Sequence, residues 1–236
     1  MIKYSSYSDI GGRSCNEDSV RIKDIGTGIC AVVADGLGGH GGGDVASKEA
    51  VGIICGGWQG GATPESLSEL IQAAHQRILS LQNPSCQMKS TAAILSVEGD
   101  RIDYAHVGDT RIYHFVDGKL VFQTKDHSAS QIAVVLGQIT PDQIRFHEDR
   151  ARIFRALGQE GELTVDAAEE TLAPGNHAFL LCTDGFWEYV YEDEMTDALA
   201  KASSPEDWIA GMRKLHTARV PEDNDNNTAA AVWLTV

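Results

Sequence analysis

The 236 residues are 42% hydrophobic and 22% charged, which fits one globular domain with a sizeable core. A formal net charge of -15 argues against a nucleic-acid face, which needs a basic patch, and equally against docking on an anionic membrane. The five cysteines (Cys15, Cys30, Cys55, Cys86 and Cys182) are odd in number and contain no C-x-x-C pair, so neither a disulfide framework nor a zinc knuckle is indicated. Reduced thiols, a start without an apolar signal-peptide core and the lack of any run near the ~18 apolar residues of a membrane helix lead to an expected soluble, cytoplasmic product.

In chain order, residues 2–7 and 19–25 read as short strands and 28–34 as a buried one. A glycine-rich turn over 36–43 follows, then a helix over 44–55 with Val45, Val51 and Ile54 on one face. Pro64 opens a second amphipathic helix through Leu67, Leu70, Ile71, Ala74, Ile78 and Leu81, ending near Asn83 and Pro84. Strands at 91–97, 101–107, 111–116 and 120–123 follow, with hairpin signals at Gly99-Asp100 and Asp117-Gly118. Residues 126–150 lack a strong core stripe and read as a surface flap, with Asp126 placed to cap its helix. Strands at 163–170 and 178–181, helices at 192–202 and 205–216, and a last strand after an acidic turn at 221–227 complete the chain. This order is not the βαβα alternation of a doubly wound sheet; it suits antiparallel sheets packed together with helices outside, in one domain spanning 1–236.

Four apolar runs meet an aspartate: Asp35, Asp109, Asp184 and Asp225. A carboxylate beside a buried strand is costly unless a positive partner meets it. Four such residues from distant parts of one chain point to strand ends converging on shared cations. Ligands that are all oxygen favour Mg²⁺, Mn²⁺ or Ca²⁺ over zinc, and no EF-hand loop is present. Several carboxylates also suit a binuclear site that activates a water for in-line attack on phosphorus.

Seven segments then fall in one order: Arg13 to Asp18, Val33 to His40, His106 to Tyr113, Asp126-His127-Ser128, Arg155 to Gly158, Cys182 to Gly185, and Asp225 to Thr228. Together they resemble the metal-dependent Ser/Thr protein phosphatases of the 2C (PPM) type in their compact bacterial form. The resemblance implies an α+β fold, an αββα sandwich of two stacked antiparallel sheets flanked by helices. It implies two core Mn²⁺ or Mg²⁺ ions with a possible third. Asp35 bridges the core pair in that scheme, with the Gly36 carbonyl on one ion. Asp184 and Asp225 complete the first ion, and Glu17 holds the second mostly through water. Asp109, with Asp184, serves a third. Asp18 steadies the metal waters, and Arg13 takes the substrate phosphate with its planar fork. His40 is the candidate general acid, because imidazole titrates near neutrality; animal members carry a histidine directly after the Asp-Gly, where this chain has Leu37.

The implied activity is hydrolysis of phosphoserine and phosphothreonine in proteins, opposing a Ser/Thr kinase in bacterial signalling, by a monomer. Two alternatives stay open: a catalytically silent phosphoprotein-binding module, and a small-molecule phosphatase. Plainer readings apply elsewhere. The glycine run lacks G-K-[ST] and serves as a turn that lets backbone approach the cations. His106 reads as a hydrogen-bonded core histidine, His127 as a structural residue at the flap base, and Trp58, Trp187, Trp208 and Trp233 as core. Cys15 reads as an ordinary thiol.

Overall fold

A computed structural model describes residues 1–38 and 41–236. Two antiparallel sheets form the middle of the molecule. The first has the order β1 (Lys3–Asp9), β11 (Asn227–Thr235), β10 (Asn176–Cys182), β7 (Arg111–Val116), β8 (Lys119–Gln123). The second runs β2 (Asp18–Asp24), β3 (Ile29–Leu37), β5 (Ala92–Glu98), β6 (Arg101–Val107), β9 (Asp166–Thr171), with the short β4 (Lys89–Ser90) pairing the end of β3. Helices α1 (Gly43–Gly57) and α2 (Pro64–Leu81) cover the second sheet. Helices α4 (Asp184–Trp187), α5 (Glu192–Lys201) and α6 (Pro205–Arg219) cover the first. The expected αββα sandwich is present.

Strand parity builds the layers. On β3, Cys30, Val32 and Ala34 pack under the helices, while Ile29, Ala31 and Val33 pack against the other sheet. Phe179 and Leu181 on β10, and Ala230 and Val232 on β11, fill the same inter-sheet layer. The parity of Ile29, Ala31 and Val33 carries on to Asp35, so the apolar inter-sheet face ends in a carboxylate. Most elements lie where the sequence puts them. Helix α2 starts at Pro64 because Thr63 caps it, accepting the Ser66 N–H at 3.2 Å.

The flap holds a short helix, α3 (Ala129–Val135), and a 3-10 helix, Pro141–Phe146. Its cap is Ser128, whose hydroxyl accepts the Gln131 N–H; Asp126 instead pairs with Arg111, so the expected capping role moves two residues on. Trp58, Trp187 and Trp208 are core, but Trp233 is only half-buried. His106 is buried as expected, yet its Nδ1 has no hydrogen-bond partner.

Candidate active site

The acidic residues meet at one end of the sandwich. Register explains how. Asp18 faces Asp35 across the β2–β3 ladder. Asp9 faces Asn227 across β1–β11, which brings the turn after β1, with Arg13, against the start of β11, with Asp225. Cys182 faces Ala229 on one side and Arg111 on the other, so Asp184 and Asp109 leave adjacent strand ends. Arg13, Glu17, Asp35, Gly36, Leu37, Gly38, Asp109, Asp184, Asp225 and Asn226 line a cavity of about 370 Å³, together with Ala151 and Ile153 from the segment that follows the flap. His40 lies outside the described residues.

Hydroxyls and an amide hold these backbones. The Asp35 N–H donates to Thr91 Oγ1 at 2.9 Å, and the Asp35 carbonyl accepts the Thr91 N–H at 2.8 Å and the Ser90 hydroxyl at 2.9 Å. Thr91 Oγ1 also meets Thr110 Oγ1 at 2.6 Å, which ties the Asp35 strand end to the turn carrying Asp109. Gly108 in that turn has φ +99° and packs against Thr91, so a side chain there would be strained and would collide. Thr183 donates its hydroxyl to Asp18 Oδ2 at 2.9 Å and accepts the Thr228 N–H at 3.0 Å. Asn226 binds the first turn to β11: its Oδ1 accepts the Glu17 N–H at 2.8 Å, and its Nδ2 donates to Ile10 and Cys15 carbonyls. A side chain on Gly36 would meet the Gly43 and Glu17 carbonyl oxygens at 2.1 and 2.6 Å, which accounts for one glycine of the run.

The electrostatics are lopsided. Burial, then Asp184, Asp18 and Asp109, push the Asp35 carboxyl well up. Burial and Asp184 raise Asp109, burial and Asp225 raise Asp184, and burial and Asp44 raise Glu17. Asp18 is pushed up to about 7, chiefly by burial, against the bonds from Thr228 and Thr183 that lower it. Arg13 answers with one ion pair, Nη2 to Asp225 Oδ2 at 2.9 Å, with over half of its own side chain exposed. Such crowding costs free energy unless cations enter. The donor set is oxygen throughout, so hard divalent ions fit it.

Sequence reading missed Glu188, one helical turn after Asp184. Burial and Asp184 push it up to about 7, and Arg150 of the flap pairs with it at 2.7 Å. The i, i+4 spacing from Asp184 was the available signal. Thr110, Thr183 and Asn226 were also missed as supports, since their partners lie far away in sequence.

A second cluster competes for attention. Among the described residues, His106, His127 and Asp166 are the three potential ligands whose donor atoms all lie within 4.8 Å of one another. His127 Nδ1 accepts the Gly108 N–H at 3.0 Å, which puts the ring proton on Nε2, 3.3 Å from Asp166 Oδ2. The His127 ring then has no lone pair left for a cation, and Arg155 already pairs with Asp166 at 2.8 Å. This cluster ties down the base of the flap: the His127 N–H donates to the Gly108 carbonyl and the His127 carbonyl accepts the Phe154 N–H. The structural role expected for His127 at the flap base agrees with these bonds.

Comparison with known proteins follows the same lines. A family model described as protein phosphatase 2C matches residues 7–219. The Mycobacterium tuberculosis serine/threonine protein phosphatase PstP is 33% identical over 207 residues, covering 84% of this chain and 39% of that protein. The chain thus spans about two fifths of the mycobacterial relative's length. A Streptococcus pyogenes protein named as protein phosphatase 2C-type is 32% identical over 94% of both chains. The crystal structure of M. tuberculosis PstP superposes with a TM-score of 0.86 at 29% identity, covering 100% of this chain and 99% of that one. A structure of the PstP catalytic domain in complex with two manganese ions superposes with a TM-score of 0.81, also at 29% identity, over 98% of this chain and 97% of that one.

Proposed function

The chain belongs to the protein phosphatase 2C family, and from that premise we propose that it hydrolyses phosphoserine and phosphothreonine in proteins with the help of divalent cations, manganese or magnesium. The observation that carries this reading is the convergence of Glu17, Asp35, Asp109, Asp184 and Asp225 with Arg13 on one cavity. A phosphomonoester dianion cannot approach five carboxylates unaided, so the cavity fits its substrate only with cations in it. Bound there, such ions supply Lewis acidity and lower the pKa of water, so no serine or cysteine nucleophile is needed.

The protein's own groups then have distinct tasks. Asp35, with the Gly36 carbonyl, Asp184, Asp225 and Glu17 would hold the two core ions, Asp35 being the carboxylate shared by both, Asp184 and Asp225 belonging to one and Glu17 to the other. Asp109 and Asp184 would hold a third. Asp18, behind Asp35 and bonded to Thr183, orients solvent at the centre. Arg13 keeps N–H donors beyond its bond to Asp225 and takes the phosphate oxygens. The leaving alkoxide needs a proton, and His40 remains the sequence candidate for it.

The setting that fits is the cytoplasm, where a Ser/Thr kinase supplies the phosphoprotein and a monomer removes the phosphate. Five free cysteines and the absence, among the described residues, of a helix long and apolar enough to cross a membrane are consistent with it. A phosphothreonine-peptide assay with and without Mn²⁺ tests the activity: Mn²⁺-dependent phosphate release, lost in Asp35→Ala, is expected. A protein that binds two Mn²⁺ yet cleaves neither p-nitrophenyl phosphate nor the peptide would return the balance to a silent phosphoprotein-binding module. Preference for sugar or nucleotide phosphates over the peptide would favour a small-molecule phosphatase.

A further inference from the structure

Asp184 is followed by a glycine that the packing makes obligatory. A side chain on Gly185 would collide with the Asn226 carbonyl oxygen. Gly185 is buried, and its N–H donates to Asp184 Oδ1 at 2.6 Å, so its backbone sets the angle of that carboxylate. A glycine backbone is also the freest to rotate, and α4 is only four residues long. In a longer helix the Gly185 carbonyl would accept the Tyr189 N–H. Here that N–H turns to the Phe186 carbonyl instead, at 3.2 Å.

The donor that takes its place comes from α6, 31 residues on. His216 is 4% exposed, and its Nε2 lies 2.7 Å from the Gly185 carbonyl oxygen. A carbonyl can only accept, so this bond puts a ring proton on Nε2. The ring plane is fixed on two sides. It stacks on Phe186, with centroids 5.9 Å apart and planes within 10°, and Tyr189 meets it edge-on at 5.8 Å. Phe186 in turn packs on the Tyr7 ring of β1 at 6.0 Å, so the donor is braced by the sheet as well as by its own helix. We infer that His216 is a positioning residue for Asp184. By holding the Gly185 carbonyl it replaces the helical bond that α4 lacks, and so keeps the Asp184 carboxylate aimed into the cavity. The inference rests on the reading that Asp184 holds cations there. His216 itself does not line the cavity and acts through the main chain alone.

Isothermal titration with Mn²⁺ and melting in EDTA, on the intact protein, test it. His216→Met keeps the bulk and removes the donor. His216→Gln keeps an N–H donor at a similar reach from the backbone. His216→Met is expected to bind Mn²⁺ about tenfold less tightly, the mild end of the losses seen for supporting residues at metal sites. His216→Gln is expected to bind Mn²⁺ as the natural protein does. A structural role alone would lower the EDTA melting temperature of His216→Met and leave its Mn²⁺ affinity at the natural value; that result overturns the inference. So does a His216→Gln variant as weak in Mn²⁺ as His216→Met, because the hydrogen bond is then not what positions Asp184. Asp184→Asn separates the underlying reading, since it must itself lose Mn²⁺ affinity. If it binds Mn²⁺ as the natural protein does, Asp184 holds no ion and His216 has nothing to position. Should His216→Met fail to fold, His216→Asn, whose shorter amide stops short of the Gly185 carbonyl, takes its place with the same expected loss.

Discussion

The Arg111–Asp126 pair and the acidic centre are both charge withdrawn from water, and they are built on opposite terms. Arg111 and Asp126 are almost wholly buried, joined by two bonds of 2.8 and 2.7 Å, with Trp187 on one guanidinium face and the Tyr113 hydroxyl 3.1 Å away. Every charge there has a resident partner. At the acidic centre burial raises Asp18, Asp35, Asp109 and Asp184, Asp184 adds to the first three and Asp225 to Asp184, and the ion pair that protein supplies to them among the described residues is that of half-exposed Arg13 with Asp225. The first group holds the flap to the sandwich. The second has been left unbalanced by the fold, and the imbalance is what makes it a receptor for cations.

The sharpest way to break this contrast is to remove a charge from each side. Asp35→Asn should lower Mn²⁺-dependent phosphate release by at least about 100-fold, since even supporting residues of metal sites cost up to that much. In EDTA the same variant should melt no lower than the natural protein, because it relieves crowding. A fall in the EDTA melting temperature would show that the centre is structurally balanced after all. Arg111→Met should do the reverse. It strands Asp126 in the interior and is expected to cost about 3–5 kcal/mol in urea unfolding, with most of the loss recovered when Asp126→Leu is added. A double variant no better than the single one would remove the pair from the list of balanced charges.

A smaller effect is expected from the hydroxyl brace. Thr91→Val keeps the shape, leaves the Asp35 N–H without its acceptor and cuts the link to Thr110. Loss of such a buried bond costs about 1–3 kcal/mol. Melting in EDTA and Mn²⁺ affinity should both fall; affinity unchanged at reduced stability would mean that the brace does not orient Asp35.

The contrast also explains what the chain disclosed in advance. The unbalanced aspartates were legible because each closes an apolar run, so a local cost was visible without knowing any partner. Helix α2 was legible because its opening proline and its apolar stripe both lie within it. The balanced pair was not legible: Arg111 and Asp126 are fifteen residues apart with a strand and turn between them, and Asp126 looked like a helix cap until its partner was found. Trp187 looked like ordinary core for the same reason, since its bond to Asp109 spans 78 residues. The four-residue α4 is too short to carry a periodic signal. His106 shows the limit from the other side, for burial was readable from its strand but the lack of a partner for Nδ1 was not.

The two kinds of buried charge should also separate by pH. Asp18 is pushed up to about 7 in the folded protein, from an ordinary carboxylate value near 4. Without cations the folded state then binds more protons than the unfolded one between about pH 4 and 7, so that contribution to stability is present at low pH and lost as pH rises through 7. His106 and His114 act with the opposite sign. Burial pushes both down to about 4, so the unfolded state binds more protons below about pH 6.5, and their contribution is lost as pH falls through that window. In EDTA the two slopes oppose each other, but Asp35, Asp109, Asp184 and Glu188 are raised along with Asp18, so the carboxylate slope prevails and the melting temperature should fall from pH 5 to 6.5. With saturating Mn²⁺ the carboxylates stay ionised and only the histidine slope remains. The stabilisation by Mn²⁺ should therefore grow from pH 5 to pH 8, by about 1.4 kcal/mol per pH unit for each proton the ions displace. Parallel melting curves in EDTA and Mn²⁺ would mean that the ions bind away from the crowded carboxylates, and the acidic centre would lose its claim to be the site.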